Sequence, residues 1–145
     1  MFKRNPNFLL IGSIFVSVMF LVGLTSCQSS GGVIADPETG LEWVVGPDQN
    51  MDYSQAVQWV SECNTAGGGW RMPTWQELKP LYDRGVGTRN MEPAFKTTGW
   101  NVWAQPKGSV TAWVFDFGAS AREVEMPRNH SVGSRAFGVR SHPQG

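Results

Sequence analysis

An apolar run and two hydrophobic periods divide this chain, and each marks a different kind of element. From Phe8 to Leu24 the sequence is an apolar run of 17 residues broken only by Gly12, Ser13, Ser17 and Gly23, with Lys3 and Arg4 ahead of it. That length is at the short limit for a membrane span and suits the core of a signal peptide. A period of two then takes over. Val33 to Ala35 reads as a strand, Asp36 to Gly40 as a turn with Pro37 pre-set and Gly40 closing it, and Leu41, Trp43 and Val45 alternate with Glu42 and Val44 in a second strand. The two make a hairpin.

A period near 3.6 follows. Asp52 with Gln55 forms a capping pattern, after which Tyr53, Ala56, Val57, Trp59, Val60 and Cys63 fall on one helical face and Ser54, Gln55, Gln58, Ser61 and Glu62 on the other. Gly67-Gly68-Gly69 ends that helix and reverses the chain. Thr74 and Glu77 then form a second capping box, so a helix is predicted to start there, with Trp75, Leu78, Leu81 and Tyr82 as its apolar face. Pro80 predicts a kink or an early stop near Lys79. From Asp83 to Thr98 there is no period, only a long loop anchored by Phe95. Trp100 to Ala104, Thr111 to Phe117, Arg122 to Met126 and Arg135 to Ser141 return to strand alternation, with Pro127 to Ser134 as a second loop. A hairpin, two helices and an antiparallel meander make an α+β domain.

Within this order Trp70-Arg71-Met72-Pro73-Thr74, followed by Glu77-Leu78, resembles the W-R-[LM]-P-T-x-x-E-L signature of the Lcl C-terminal domain family of bacterial surface domains. Thr39-Gly40-Leu41-Glu42-Trp43 is similar to that family's opening, Pro93-Ala94-Phe95 to its P-x-F segment, and Arg140-Ser141 to its close, whereas Gly99-Trp100-Asn101-Val102-Trp103 departs from its Y-W-S-S strand. A more distant similarity, to the formylglycine-generating-enzyme and C-type-lectin-like superfamily, implies a C-type-lectin-like arrangement with the last strand near the first. Enzymes of that superfamily use a pair of active-site cysteines, which this chain is not expected to offer. A non-enzymatic domain is the expectation.

Leu24-Thr25-Ser26-Cys27 resembles the lipobox of bacterial lipoproteins, in which the cysteine thiol accepts diacylglycerol before cleavage. The resemblance implies a signal peptide over 1–26, a lipidated tether over 27–32 beginning at Cys27, and a domain over 33–142. A retained transmembrane anchor is the alternative. The implied location is the cell envelope, on the outer membrane if the host has two membranes, with the membrane as a partner through the N-terminal lipid.

Composition adds exclusions. The chain of 145 residues is neutral overall, and without Lys3 and Arg4 it carries 10 basic against 12 acidic residues, so no nucleic-acid partner is expected. No phosphate loop or nucleophile elbow is present. Once Cys27 carries lipid, Cys63 has no partner and is expected as a small buried apolar group. His130 and His142 lack zinc-ligand spacing. No cofactor is expected; calcium remains a candidate for the turn carboxylates Asp36, Glu38, Asp48 and Asp52, without the usual oxygen-rich loop pattern.

Two constellations remain. Arg71, with Trp70, Pro73, Thr74 and Glu77, is expected to hold loops together. Arg84 and Arg89 in one loop, with Arg128, His130 and Arg135 in or beside another, form a candidate anion site if both loops lie at one end of the fold. Trp100 and Trp103 occupy opposite faces of one strand, so one is expected to be partly exposed, and aromatic rings beside Asn101 suit sugar or peptide recognition; Asn101 and Trp103 are the candidate ligand residues of that strand. The resemblance, whose named adhesin is associated with sulfated glycans, implies a domain binding a glycan or an envelope protein. A structural subunit of an envelope assembly is the alternative.

Overall fold

The computed structural model describes Cys27 and residues 29–143. The predicted signal peptide lies outside the described residues, and among these no helix is long and apolar enough to cross a membrane. The chain is α+β. It begins with the predicted hairpin, β1 (Ile34–Asp36) antiparallel to β2 (Leu41–Val45), turned at Gly40 with φ of 69°.

The capping patterns fold as read. Asp52 accepts from the Gln55 amide at 2.9 Å and Gln55 answers to the Asp52 amide at 2.9 Å, starting α1 (Tyr53–Glu62). Tyr53, Ala56 and Val60 are buried, but Val57 is 36% exposed and Trp59 only half-buried, so the apolar stripe is narrower than its sequence. Thr74 and Glu77 cap α2 (Trp75–Leu78), and Pro80 ends it: the chain tightens into a 3-10 turn over Lys79–Leu81.

Two sheets follow from the remaining strands. β3 (Asn101–Pro106), β4 (Thr111–Asp116) and β5 (Arg122–Pro127) form the predicted antiparallel meander. The predicted final strand, however, is two strands. β6 (Ser134–Arg135) runs parallel to β3, and β7 (Phe137–Ser141) pairs antiparallel with β2 in the other sheet. The switch occurs at Ala136, whose carbonyl accepts from the Gly46 amide at 2.9 Å. No side chain fits at Gly46, because a Cβ there meets that carbonyl at 2.6 Å. The sheets are therefore ordered β1-β2-β7 and β5-β4-β3-β6, with the last strand beside the second.

The meander is packed on both faces. Val102 and Phe115, paired across β3 and β4, join Phe117, Leu78, Met91 and Phe95 on one side. Trp103 and Val114, the next pair, join Ala112, Tyr53 and Ala56 of α1 on the other. The central motif ties the sheets together, since Arg71 and Val139 of β7 exchange both backbone hydrogen bonds at 3.0 Å.

The described N-terminal residues overturn two expectations. Cys63 is not a lone thiol: its sulfur is bonded to that of Cys27, 36 residues earlier. Acylation of Cys27 and this bond require the same sulfur, so each excludes the other. Nor is 27–32 a free tether, because the Ser30 amide donates to Val45 O at 2.9 Å and its hydroxyl to Gly46 O at 2.6 Å. In the disulfide form, Cys63→Ser is expected to lower stability by about 2–4 kcal/mol, since the crosslink closes a loop in the unfolded chain and so lowers its conformational entropy. Chemical denaturation of the two proteins measures the difference.

Candidate functional site

The carboxylate of Asp48 organises the region where the long loop reaches β3. Its Oδ1 accepts from the Thr98 amide at 2.8 Å, the Thr98 hydroxyl at 3.0 Å, the Thr97 hydroxyl at 3.4 Å and Arg135 Nε at 2.7 Å. Burial opposes ionisation of Asp48, but the Thr98 amide and the Arg135 guanidinium outweigh it and hold the carboxyl below its ordinary value. Arg135 is buried and further donates to Asn50 Oδ1 at 3.0 Å, to Ser134 O at 3.2 Å and to Thr98 Oγ1 at 3.0 Å. Gly99 is required by this contact: a Cβ there overlaps Arg135 Cγ.

Beside this network Trp100 stands 42% exposed, with the Arg89 guanidinium 3.9 Å from its ring centroid. Arg89 is oriented by donation to Thr98 O at 2.7 Å and Thr88 O at 3.1 Å. The loop behind it is held by Asn90, whose amide nitrogen reaches Phe117 O at 2.7 Å. Gly87, Thr88, Met91, Phe95, Thr97 and Thr98, with Asp48 and Ser30, line an open groove of about 460 Å³ next to this pair. The groove combines hydroxyls, the carboxylates of Asp48 and Glu92, the Lys96 ammonium and an apolar floor, with an aromatic face and a second cation close by.

The basic constellation read from the sequence does not assemble as one site. Arg89 lies at the start of β3, and Arg84 is exposed in the same loop. Arg128 instead donates to Thr111 O at 3.2 Å and to Gly108 O, beyond the other end of β3, with its guanidinium over the Tyr53 ring at 4.8 Å. Six strand residues separate these ends, about 20 Å. Arg135 is spent on Asp48. Trp103 is also corrected: it has no exposed surface, packs edge-on to Tyr53 and donates from Nε1 to Met51 O at 2.8 Å. Trp100 is the exposed member of the pair, and Asn101 beside it is half-buried. His130 Nε2 lies 3.0 Å from Val132 O.

The turn carboxylates do not gather. Asp36 accepts from the Glu38 and Thr39 amides at 3.0 and 3.3 Å, Asp52 caps α1, and Asp48 holds Arg135. Among the described residues no three His, Cys, Asp or Glu side chains are grouped to hold a metal ion.

Arg71 takes the structural role read for it. Its Nη1 and Nη2 meet Glu77 Oε2 and Oε1 at 2.9 and 2.6 Å, and Glu77 Oε2 also accepts from the Thr74 amide at 2.9 Å. Trp70 is buried, donates to Thr65 O at 2.9 Å and lies 4.2 Å from the Arg140 guanidinium, while Pro73 is fully buried. This motif and its neighbours match a known family model, that of the Lcl C-terminal domain, over residues 32–137. The chain belongs to the Lcl C-terminal domain family. No curated protein and no solved structure matches the chain. In this Lcl C-terminal domain the exposed groove next to Trp100 and Arg89 lies outside the W-R-M-P-T segment.

A second buried ion pair closes the sheet of β1, β2 and β7. Glu42 accepts from Arg140 Nε and faces His142 Nδ1, both at 2.7 Å. The Arg140 hydrogen bond chiefly, against opposing burial, holds Glu42 below its ordinary value, and Arg71 does the same for Glu77. A carboxyl whose folded value is depressed stabilises the fold above its unfolded value and loses that contribution as pH falls through the folded one. The melting temperature is therefore expected to be flat from neutral pH down to about 4.5, the ordinary glutamate value, and to decline below it. Circular dichroism melts from pH 7 to pH 2 test this, and Glu77→Gln is expected to flatten part of the decline.

Proposed function

We propose that the chain is a membrane-anchored recognition domain of the cell envelope that binds a glycan through the groove beside Trp100 and Arg89, without catalysis. The observation that carries this reading is the exposed Trp100 indole with the Arg89 guanidinium 3.9 Å from its centroid. An aromatic face and a fork of N–H donors suit a sugar ring bearing sulfate or carboxylate. Asp48 at the groove is committed to Arg135, and Glu92 and Lys96, which also line it, add an exposed carboxylate and ammonium that suit hydrogen bonding to sugar hydroxyls. Anchoring rests on the lipobox at Cys27; in the acylated form Cys63 becomes a free thiol, and mass spectrometry of the mature N-terminus distinguishes the two forms. The domain itself is read as C-type-lectin-like, on the return of the final strand to the N-terminal hairpin.

The alternative, a structural subunit of an envelope assembly, has in its favour the edge of β5, which no strand among the described residues covers. Arg122, Glu123, Glu125 and Pro127 are exposed along that strand, and such residues discourage strand addition, so glycan recognition stands first.

Binding of the full chain to an array that includes sulfated and uronic-acid polysaccharides, at two salt concentrations, tests the proposal. Trp100→Ala and Arg89→Ala are each expected to weaken binding about tenfold, or ~1.4 kcal/mol, and Arg89→Ala to reduce its salt dependence. Arg128→Ala, at the far end of β3, is expected to leave affinity unchanged. Absence of binding to every glycan transfers the groove to a protein partner.

A further inference from the structure

We infer that the end of the domain carrying Cys27 and the loop Asn64 to Gly69 rests directly on the membrane surface, with no free linker between them. The inference builds on the anchoring reading above and adds an orientation to it. The apolar run ends at Leu24, three residues before Cys27, a span of at most about 11 Å. Cys27 is then fixed to the domain, by the bond to Cys63 and by the approach of Thr65 Oγ1 to its sulfur at 3.7 Å. If its sulfur carries lipid instead, the hydrogen bonds of Ser30 to Val45 and Gly46 hold the chain three residues further on, again within about 11 Å of the acyl chains. Both forms of the N-terminus bring the same surface to the bilayer.

That surface is suited to close approach. Asn64, Ala66, Gly67 and Gly69 are exposed, and Asn64 to Gly69 contains no ionisable side chain, so nothing there is repelled by anionic headgroups. Gly67, Gly68 and Gly69 carry no side chain, so this stretch of the surface has none to protrude, and their φ values of 89°, 78° and 80° suit glycine. Glu62 borders the loop from the end of α1, while Arg140 behind it is paired with Glu42 and donates to the carbonyls of Ala66 and Gly68. Ser30 also lines the groove, so one edge of the candidate ligand site lies three residues from Cys27.

The test uses the full chain reconstituted in phosphatidylethanolamine/phosphatidylglycerol vesicles containing a lipid with a nitroxide on its headgroup. A fluorescent amino acid is introduced at Asn64 in one variant, at Glu62 in a second in case the first misfolds, and at Val110 in a third. Val110 accepts from the Arg128 amide, whose carbonyl accepts from the Tyr53 amide, so it marks the opposite end of α1, about 15 Å away. Quenching at Asn64 or Glu62 is expected to exceed that at Val110 at least twofold. Equal quenching, or more at Val110, in protein that floats with the vesicles overturns the orientation alone. Protein that does not float with the vesicles overturns the anchoring and the orientation together.

Discussion

Asp48→Ala is expected to lower the stability of the folded chain by about 3–5 kcal/mol, because it leaves the buried Arg135 guanidinium without its counter-charge. Arg135 keeps Asn50 and Thr98 as hydrogen-bond partners, but neither is ionised. The Thr98 amide and hydroxyl lose an acceptor at the same time, so the end of the long loop loosens and carries the Arg89 and Trp100 geometry with it. Urea unfolding reads the stability, and glycan binding at a temperature where the variant is folded reads the effect on the site. The double variant Asp48→Ala/Arg135→Met is expected to recover much of the loss, since removing both charges spares the desolvation cost that one alone incurs. Failure of that rescue would show that the backbone contacts to Thr98, not the ion pair, hold the loop.

Trp103→Ala is expected to cost a comparable 3–5 kcal/mol, by a different route. Its side chain is fully buried between the meander and α1, so truncation opens a cavity against Tyr53, Ala112 and Val114 and strands the Met51 carbonyl. Trp100→Ala, three residues earlier in the chain, is expected to leave the denaturation midpoint almost unchanged. The contrast separates the two tryptophans cleanly: one variant loses the fold, the other the ligand.

What the sequence made legible was local. Asp52 with Gln55 and Thr74 with Glu77 are three residues apart, so the information that starts each helix is complete within one turn. Pro80 carries its own stop signal. The hairpin of β1 and β2 was readable for the same reason. Arg135 was not, since its partner Asp48 is 87 residues away and an arginine after a polar loop looks solvent-facing until the groups beneath it are known. The division of the last strand was equally hidden, because Arg135, Phe137 and Val139 alternate without interruption and only their neighbours in space assign them to different sheets. In the case of Cys63, a strong local motif at Cys27 concealed a distant partner. The candidate site was half legible: the strand alternation put Trp100 and Trp103 on opposite faces but did not say which was open to solvent, and the stacking of Arg89 on Trp100 depends on a loop with no period to read.

The pairing of β2 with β7 sets Leu41 opposite Ser141 and Glu42 opposite Arg140. Glu42 and Arg140 are 98 residues apart, so one strand of that sheet leaves the ribosome well before its neighbour. The meander can collapse on α1 earlier, from segments closer in sequence, but the sheet holding the hairpin stays open until Ser141 is available. A chain halted anywhere before Phe137 therefore presents the uncovered edge of β2 to its surroundings, and nascent forms of this protein are the ones exposed to proteases and to strand exchange.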